Sequence, residues 1–158
     1  MEYKIIRCNY EDAKKANNLL TKLIKDEKKY DENINEDCVV NSLYENFYDS
    51  EDICLLVAKS GETIFGYIYG YIQNNGDAKL EKVSILDALY VEENVRKNKI
   101  GDSLIEEFKK WSYSIGAKYI ELKVCNKNKN AINLYTKKGF KETKIMMSLK
   151  LEEEYENI

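Results

Sequence analysis

The sequence predicts an α/β sandwich, a single mixed sheet flanked by helices, in the order β-α-α-β-β-β-α-β-α-β. Three observations lead there. Short segments that are apolar throughout, or that alternate apolar and polar residues, recur along the chain between turn residues. Longer segments between them carry apolar residues three and four positions apart. No Pro-, Gly- or Ser-rich linker and no internal repeat interrupts them, so residues 1–158 are expected to form one domain.

Tyr3–Cys8 alternates and forms the first strand. Asn9 or Asp12 can cap a helix to about Lys25, with Ala13, Ala16, Leu19, Leu20, Leu23 and Ile24 on one face. Lys25–Asn35 is charged and is expected to be a loop or a fraying helix end. Asn35 or Asp37 can cap a second helix through Val39, Val40, Leu43 and Phe47. Ile53–Ser60 and Ile64–Ile72 are strands joined by the hairpin turn Ser60–Thr63. Gly66 and Gly70 weaken the second of these unless a backbone or a ligand packs closely there. After the turn Asn74–Asp77, Val83–Val91 is a near-continuous apolar strand. Ile100, Leu104, Phe108, Trp111 and Ile115 form the apolar stripe of the next helix, which Gly116 ends. Tyr119–Val124 is a strand, Asn126–Lys138 a helix with its entry, and Phe140–Leu151 a final, partly alternating strand. The acidic tail Glu152–Ile158 is expected to fray.

Composition removes several classes of function. Hydrophobic residues make up 44% and charged residues 34%, an ordinary globular balance. A net charge of −3 argues against broad nucleic-acid binding. No apolar run approaches the roughly 18 residues of a membrane span, and the first residues do not form a signal peptide. Cys8, Cys38, Cys54 and Cys125 are scattered without a CxxC pair, which suggests reduced thiols in the cytoplasm. The chain contains no histidine, which excludes His-based triads and argues against a transition-metal site. A catalytic base must then be a carboxylate, tyrosine, lysine, cysteine or water.

Leu86–Leu104 organises the rest. An apolar strand passes through a short polar loop and enters a helix at Ile100, with Arg96, Lys97 and Lys99 just before it. Cations at a helix N-terminus are disfavoured by about 0.3–1 kcal/mol each, and Asp102 offsets one of them. An anion held there by free backbone N–H groups and basic side chains explains the placement; a solvated basic loop is the other reading. Between Asp26 and Asp52, ten acids face only Lys28 and Lys29, with Tyr30, Tyr44, Phe47 and Tyr48 interleaved. That segment is either a solvated face or one wall of a site that attracts an amine by charge and stacking.

Two segments together resemble the GNAT N-acetyltransferase superfamily, closest to its small-amine members. VEENVRKNKIGDSLI resembles the family's pattern of Arg or Gln, two residues, Gly, one residue, Gly or Ala. NKNKNAINLYTKKGF matches Asn, two residues, Ala, three residues, Tyr, then Gly-Phe, through Asn128, Ala131, Tyr135, Gly139 and Phe140. The resemblance implies a GNAT-type, mostly antiparallel sheet and acetyl-CoA as cosubstrate. It implies that Arg96, Lys97, Asn98, Lys99, Ile100, Gly101 and Asp102 wrap the CoA pyrophosphate. Pantetheine would run beside the strand ending at Val91, bonding to backbone at Leu89 and Val91. Asn128 would touch the pantetheine arm, with Ala131 beside it. Tyr135 would lie near the thioester sulfur and protonate the leaving thiolate. Lys99 departs from the pattern: it stands where the family usually has its first glycine, a residue suited to φ > 0 and to close approach of phosphate.

A primary ammonium with a pKa of about 10.4 gives up about 4.6 kcal/mol to present a neutral amine at pH 7. Asp87, inside the apolar run VSILDALYV, is the candidate base, and the matching position in some polyamine-type members is acidic; a structural Asp87 paired with Lys or Arg is the alternative. A backbone N–H near Leu89–Tyr90 is expected to polarise the thioester carbonyl. Glu121 is a second candidate, but it shares a strand face with Lys123 and can simply pair with it. The expected reaction is direct attack by a small cationic amine in a ternary complex, with a protein or peptide amine, or CoA binding without transfer, as alternatives. The resemblance also suggests a homodimer.

Overall fold

The computed structural model describes residues 1–155. Five strands form one sheet in sequence order: β1 (Lys4–Arg7), β2 (Ile53–Ser60), β3 (Thr63–Ile72), β4 (Val83–Val91) and β5 (Tyr119–Glu121). The first three pairings are antiparallel, and β4–β5 is parallel. Helices α1 (Tyr10–Glu27) and α2 (Ile100–Ser114) cover opposite faces, and α3 (Lys129–Lys137) lies with α2. The mixed, mostly antiparallel sheet flanked by helices is the predicted fold class.

Asn9 starts α1. Its Oδ1 accepts from the Asp12 N–H at 2.8 Å, and Asp12 Oδ2 accepts from the Asn9 N–H at 3.4 Å. This reciprocal capping box satisfies two otherwise orphaned donors. Ala13, Ala16 and Leu19 then bury against Leu55, Val57 and Tyr67. On the other face Ile100, Leu104, Ile105 and Phe108 pack on Cys54, Ala58, Ile68 and Leu86. Burying each large side chain of this set contributes about 1.5–3 kcal/mol. The expected close approach at Gly70 is protein, not ligand: a Cβ there would collide with the Ile85 carbonyl and the Phe108 ring. At Gly66 it would come within 2.8 Å of the Tyr90 carbonyl.

Two predicted elements are absent. The expected helix from Asn35 or Asp37 through Phe47 is a chain of turns containing one 3-10 turn, Tyr44–Asn46. Side chains there take over backbone donors: Asn35 Oδ1 accepts from Asp37 N–H, and Glu45 Oε1 from Leu43 N–H. Thr21 Oγ1 and Asn17 Oδ1 on α1 accept from the N–H groups of Val40 and Tyr44. The expected final strand, Phe140–Leu151, is unpaired, and every residue from Lys141 to Lys150 is exposed. The strand expected over Tyr119–Val124 stops at Glu121. Glu152–Tyr155 forms a helical turn, α4; the rest of the tail expected to fray lies outside the described residues.

Candidate active site

The site begins where strand pairing stops. β5 pairs with β4 only at Val83, Ser84 and Ile85, whereas β4 continues to Val91 with no strand on that side among the described residues. The Glu92 N–H donates to the Phe65 carbonyl at 2.8 Å, which sets the parity of the β3–β4 ladder. Tyr90 therefore turns its N–H toward β3, and Leu89 and Val91 turn theirs toward the open side. This narrows the expectation for the carbonyl-polarising amide: the Leu89 N–H is available, and the Tyr90 N–H belongs to the sheet. The Val91 carbonyl on the open side accepts from Arg96 Nε at 2.9 Å.

Asp87 stands at the same place because of a bulge. Tyr69 faces Ala88 while Gly70 faces Leu86, so Asp87 is an extra residue in β4. Partial desolvation raises its carboxyl pKa, against an opposing pull from Lys123. Among the described residues no Lys or Arg lies within ion-pair distance of Asp87, so the structural salt bridge weighed as its alternative is not formed. Its charge acts on the phenols of Tyr44, Tyr67, Tyr69 and Tyr71. These rings form a continuous cluster: Tyr44 lies 5.1 Å from Tyr69, Phe47 5.8 Å from Tyr69, and Tyr69 5.9 Å from Tyr71. Tyr44 and Tyr67 share a buried hydroxyl–hydroxyl hydrogen bond of 3.0 Å. Desolvation, with Asp87 adding to it, pushes Tyr69 up to about 12, so its phenol is neutral near pH 7.

Glu27, at the last turn of α1, completes the group. Desolvation raises its pKa, and the charges of Asp87 and Asp31 raise it further. From the sequence alone it is one of the ten acids between Asp26 and Asp52. Its signal was present, since it lies four residues beyond Leu23 and prolongs the apolar stripe of α1 with a carboxylate. Most of the other acids in that segment lie on the surface; Asp26, for example, pairs with Arg96 at 3.2 Å.

Tyr135 on α3 packs edge-on against Phe140, with ring centroids 5.6 Å apart. Desolvation, with a contribution from Glu27, pushes its pKa up to about 12 and keeps the phenol protonated. Asp87 and Tyr135 share no hydrogen bond; Glu27 is the charge that feels the first and is felt by the second. Asn128 caps α3, its Oδ1 accepting from the Ala131 N–H at 3.1 Å, which commits that amide and leaves the Asn128 Nδ2 free to donate. Glu121 and Lys123 do not pair; Lys123 acts on Asp87 instead. Cys125 donates its thiol to the Tyr30 carbonyl at 3.2 Å.

At the start of α2, Lys99 adopts φ 59 and ψ 25, the left-handed conformation that glycine takes most easily. The departure from the glycine pattern therefore keeps the turn. No side chain caps this helix end, so the first-turn N–H groups at Ile100, Gly101 and Asp102 lack intrahelical partners. A Cβ on Gly101 would meet only Leu134 and Val91 at 3.9 Å, so the approach to these amides is open. Lys97 and Lys99 are exposed beside it. Arg96 is more constrained than expected, held by Val91, by Asp26 and over the Tyr90 ring at 5.4 Å. Asn98 donates to the Val95 carbonyl, and Asp102 pairs with Lys138 at 3.1 Å. Clefts of about 570 Å³ at Tyr3, Lys59 and Gly61, and of about 510 Å³ around Gln73–Lys82, hold none of these groups.

A family model described as "Acetyltransferase (GNAT) family" matches residues 20–140. The chain belongs to the GNAT acetyltransferase family. It is an acetyl-CoA-dependent N-acetyltransferase, and the residues present fit that cosubstrate: an open β4 edge with free amides at Leu89 and Val91 leads to the uncapped N-terminus of α2. Solved structures agree in fold. A mutant protein from Bacillus halodurans superposes with a TM-score of 0.79 at 21% identity, covering 94% of this chain and 99% of its own. An aminoglycoside acetyltransferase from an uncultured soil metagenomic sample gives 0.70 at 19%, covering 95% and 99%. An aminoglycoside N-acetyltransferase in complex with CoA gives 0.71 at 14%, covering 94% of each chain. No curated protein matches the GNAT chain in sequence.

Proposed function

We propose that the acceptor is a small cationic primary amine of the polyamine, aminoglycoside or lysine-like class. The observation that carries this is the presence of two carboxylates, Asp87 and Glu27, with no ion-pair partner among the described residues, on the sheet face that carries the partly exposed rings of Phe47, Tyr69 and Tyr71, with the buried Tyr44 ring behind them. The two carboxylates, exposed but partly desolvated, attract an ammonium, and neutral aromatic rings within reach stabilise it by about 0.5–1 kcal/mol each. Similar structures that act on aminoglycosides support the same class. The free cysteines, two of them buried, fit an enzyme of the reducing cytosol.

In this reading Asp87, directly or through water, takes the proton that the ammonium must lose. Its raised pKa brings it nearer the operating pH, where a base is most effective. The amine nitrogen attacks the thioester carbon, and the Leu89 N–H donates to the carbonyl oxygen as charge builds there. The C–S bond breaks as the amide forms. The departing sulfur takes its proton from the Tyr135 phenol, which bulk water restores. Lys97, Lys99 and the first turn of α2 hold the pyrophosphate, and Asn128 Nδ2 donates to the pantetheine arm.

The test is acetyl-CoA-dependent CoA release with polyamines, aminoglycosides, amino acids and short peptides, with acetyl-CoA binding measured by calorimetry on the same sample. Turnover on a cationic small amine, with a KM that rises with salt, is expected. Turnover confined to peptides, or a salt-independent KM, would overturn the acceptor class.

A further inference from the structure

Asp102 serves two masters. It is an acid in the first turn of α2, where the positive end of the helix dipole favours a carboxylate. The same turn offers uncapped N–H groups to an anion, and a carboxylate next to Gly101 repels one. What suits the helix therefore opposes a pyrophosphate.

Another helix answers the conflict. Lys138, the residue that ends α3, places its Nζ 3.1 Å from Asp102 Oδ1 and 3.3 Å from Glu106 Oε1, one turn further along α2. Its side chain is 18% exposed, against 40% and 47% for the two acids, so the ammonium is held between them rather than in open water. The hydrogen bond to Asp102, with Glu106 adding to it, raises the Lys138 pKa and keeps the group charged. Glu106 has a second cation, Lys109, at 3.5 Å. Asp102 has no other within ion-pair distance among the described residues. The charge of Lys138 is thus replaceable for Glu106 and not for Asp102.

We propose that Lys138 is a positioning residue for the cosubstrate, acting through Asp102: it cancels that carboxylate, so the first turn of α2 keeps its helix-stabilising acid and still receives the pyrophosphate. The inference rests on the reading that the pyrophosphate lies at that turn. Lys138 follows Tyr135 by three residues on the same helix. The cradle is therefore complete only when the helix that carries Tyr135 is seated on α2.

Calorimetric binding of acetyl-CoA to the full chain tests it. Lys138→Met should weaken binding about tenfold at low salt, with the deficit shrinking at high salt, and Lys138→Arg should bind as the wild type does. Adding Asp102→Asn to Lys138→Met should restore the affinity to within about twofold, since the repulsive charge is then gone. A role confined to holding α3 on α2 predicts the opposite, because the ion pair is missing from both variants; a double variant as weak as the single overturns the proposal. So does a Lys138→Met affinity equal to the wild type. Lys110→Met removes a cation from the same helix, one that pairs with Glu107 at 2.8 Å, and should leave binding unchanged; an equal loss there would reduce the effect to net charge and overturn the proposal. Gly101→Asp separates this inference from the reading beneath it. A Cβ at Gly101 has room, so the added carboxylate should weaken acetyl-CoA whatever Lys138 does. Weakening there with an unaffected Lys138→Met sinks only the role of Lys138, whereas wild-type binding by Gly101→Asp sinks the pyrophosphate placement and this inference with it.

Discussion

The two faces of the sheet are built from different material. Against α2, the buried set is Cys54, Ala58, Ile68, Leu86, Ile100, Leu104, Ile105 and Phe108, and the fully buried polar pair behind it, Ser84 and Ser112, is self-satisfied at 2.7 Å. Against α1, the apolar set of Ala13, Ala16, Leu19, Leu55 and Val57 is joined by buried polar groups, and each of these is answered. Asp12 pairs with Lys59 at 2.8 Å, Asn17 bridges Glu45 and Tyr44, and Tyr44 bonds Tyr67. Toward the end of β4 the exposed carboxylates of Asp87 and Glu27 have no cation within ion-pair distance among the described residues. One face is scaffold. The other spends hydrogen-bonding capacity on holding aromatic rings in place, and in the proposed function its two unpaired carboxylates receive the amine.

The largest effect should come from the scaffold face. Phe108→Ala should cost about 3–5 kcal/mol of stability in urea titration, with the amine KM of the folded enzyme unchanged. A changed KM with little loss of stability would mean that the faces do not divide the labour as described. Next is Asp87→Asn, which should lower turnover about 100-fold near neutrality without loss of stability. The sign follows from its raised pKa. The folded state holds that proton more tightly than the unfolded chain, so the associated stability is present at low pH and lost as pH rises through the folded pKa. Removing the charge therefore leaves the folded state no weaker at pH 7, and slightly firmer. The rate should climb through a carboxylate pKa above the usual value in the wild type and lose that limb in the variant; an unchanged pH profile would remove Asp87 as base. The smallest effect concerns Lys99. Lys99→Gly relieves a left-handed residue and should raise stability by about 1 kcal/mol or less, while the acetyl-CoA KM stays within about fivefold because the charge is exposed. A larger rise would give Lys99 more of the pyrophosphate than its exposure suggests.

Much of this was legible from residue patterns. The hairpin at Ser60–Thr63, the Asn9 cap, the α2 stripe and the Asn128–Tyr135 motif each depend on neighbours within a turn or two. Four features were not. The turns of Asn35–Phe47 depend on Thr21 and Asn17, side chains of another element that capture its amides. Asp87 is conspicuous as an acid in an apolar run, yet the bulge that presents it arises from a one-residue register shift against β3. Lys141–Leu151 carries a strand's alternation but pairs with no strand among the described residues. Glu27 was visible only as one acid among ten, because what singles it out is where α1 ends over the sheet.

In the proposed function the tyrosine-and-carboxylate face receives the amine while the β4 opening and α2 receive acetyl-CoA. Glu27→Gln tests this most directly, since Glu27 stands on α1 rather than on β4 or α2 and its charge couples to that of Asp87. Steady-state kinetics on the preferred amine should show its KM rising about tenfold at low salt, a modest Coulomb loss for a partly desolvated pair, with the acetyl-CoA KM unchanged. An unchanged amine KM, or a shift confined to acetyl-CoA, would contradict this assignment of the α1 face.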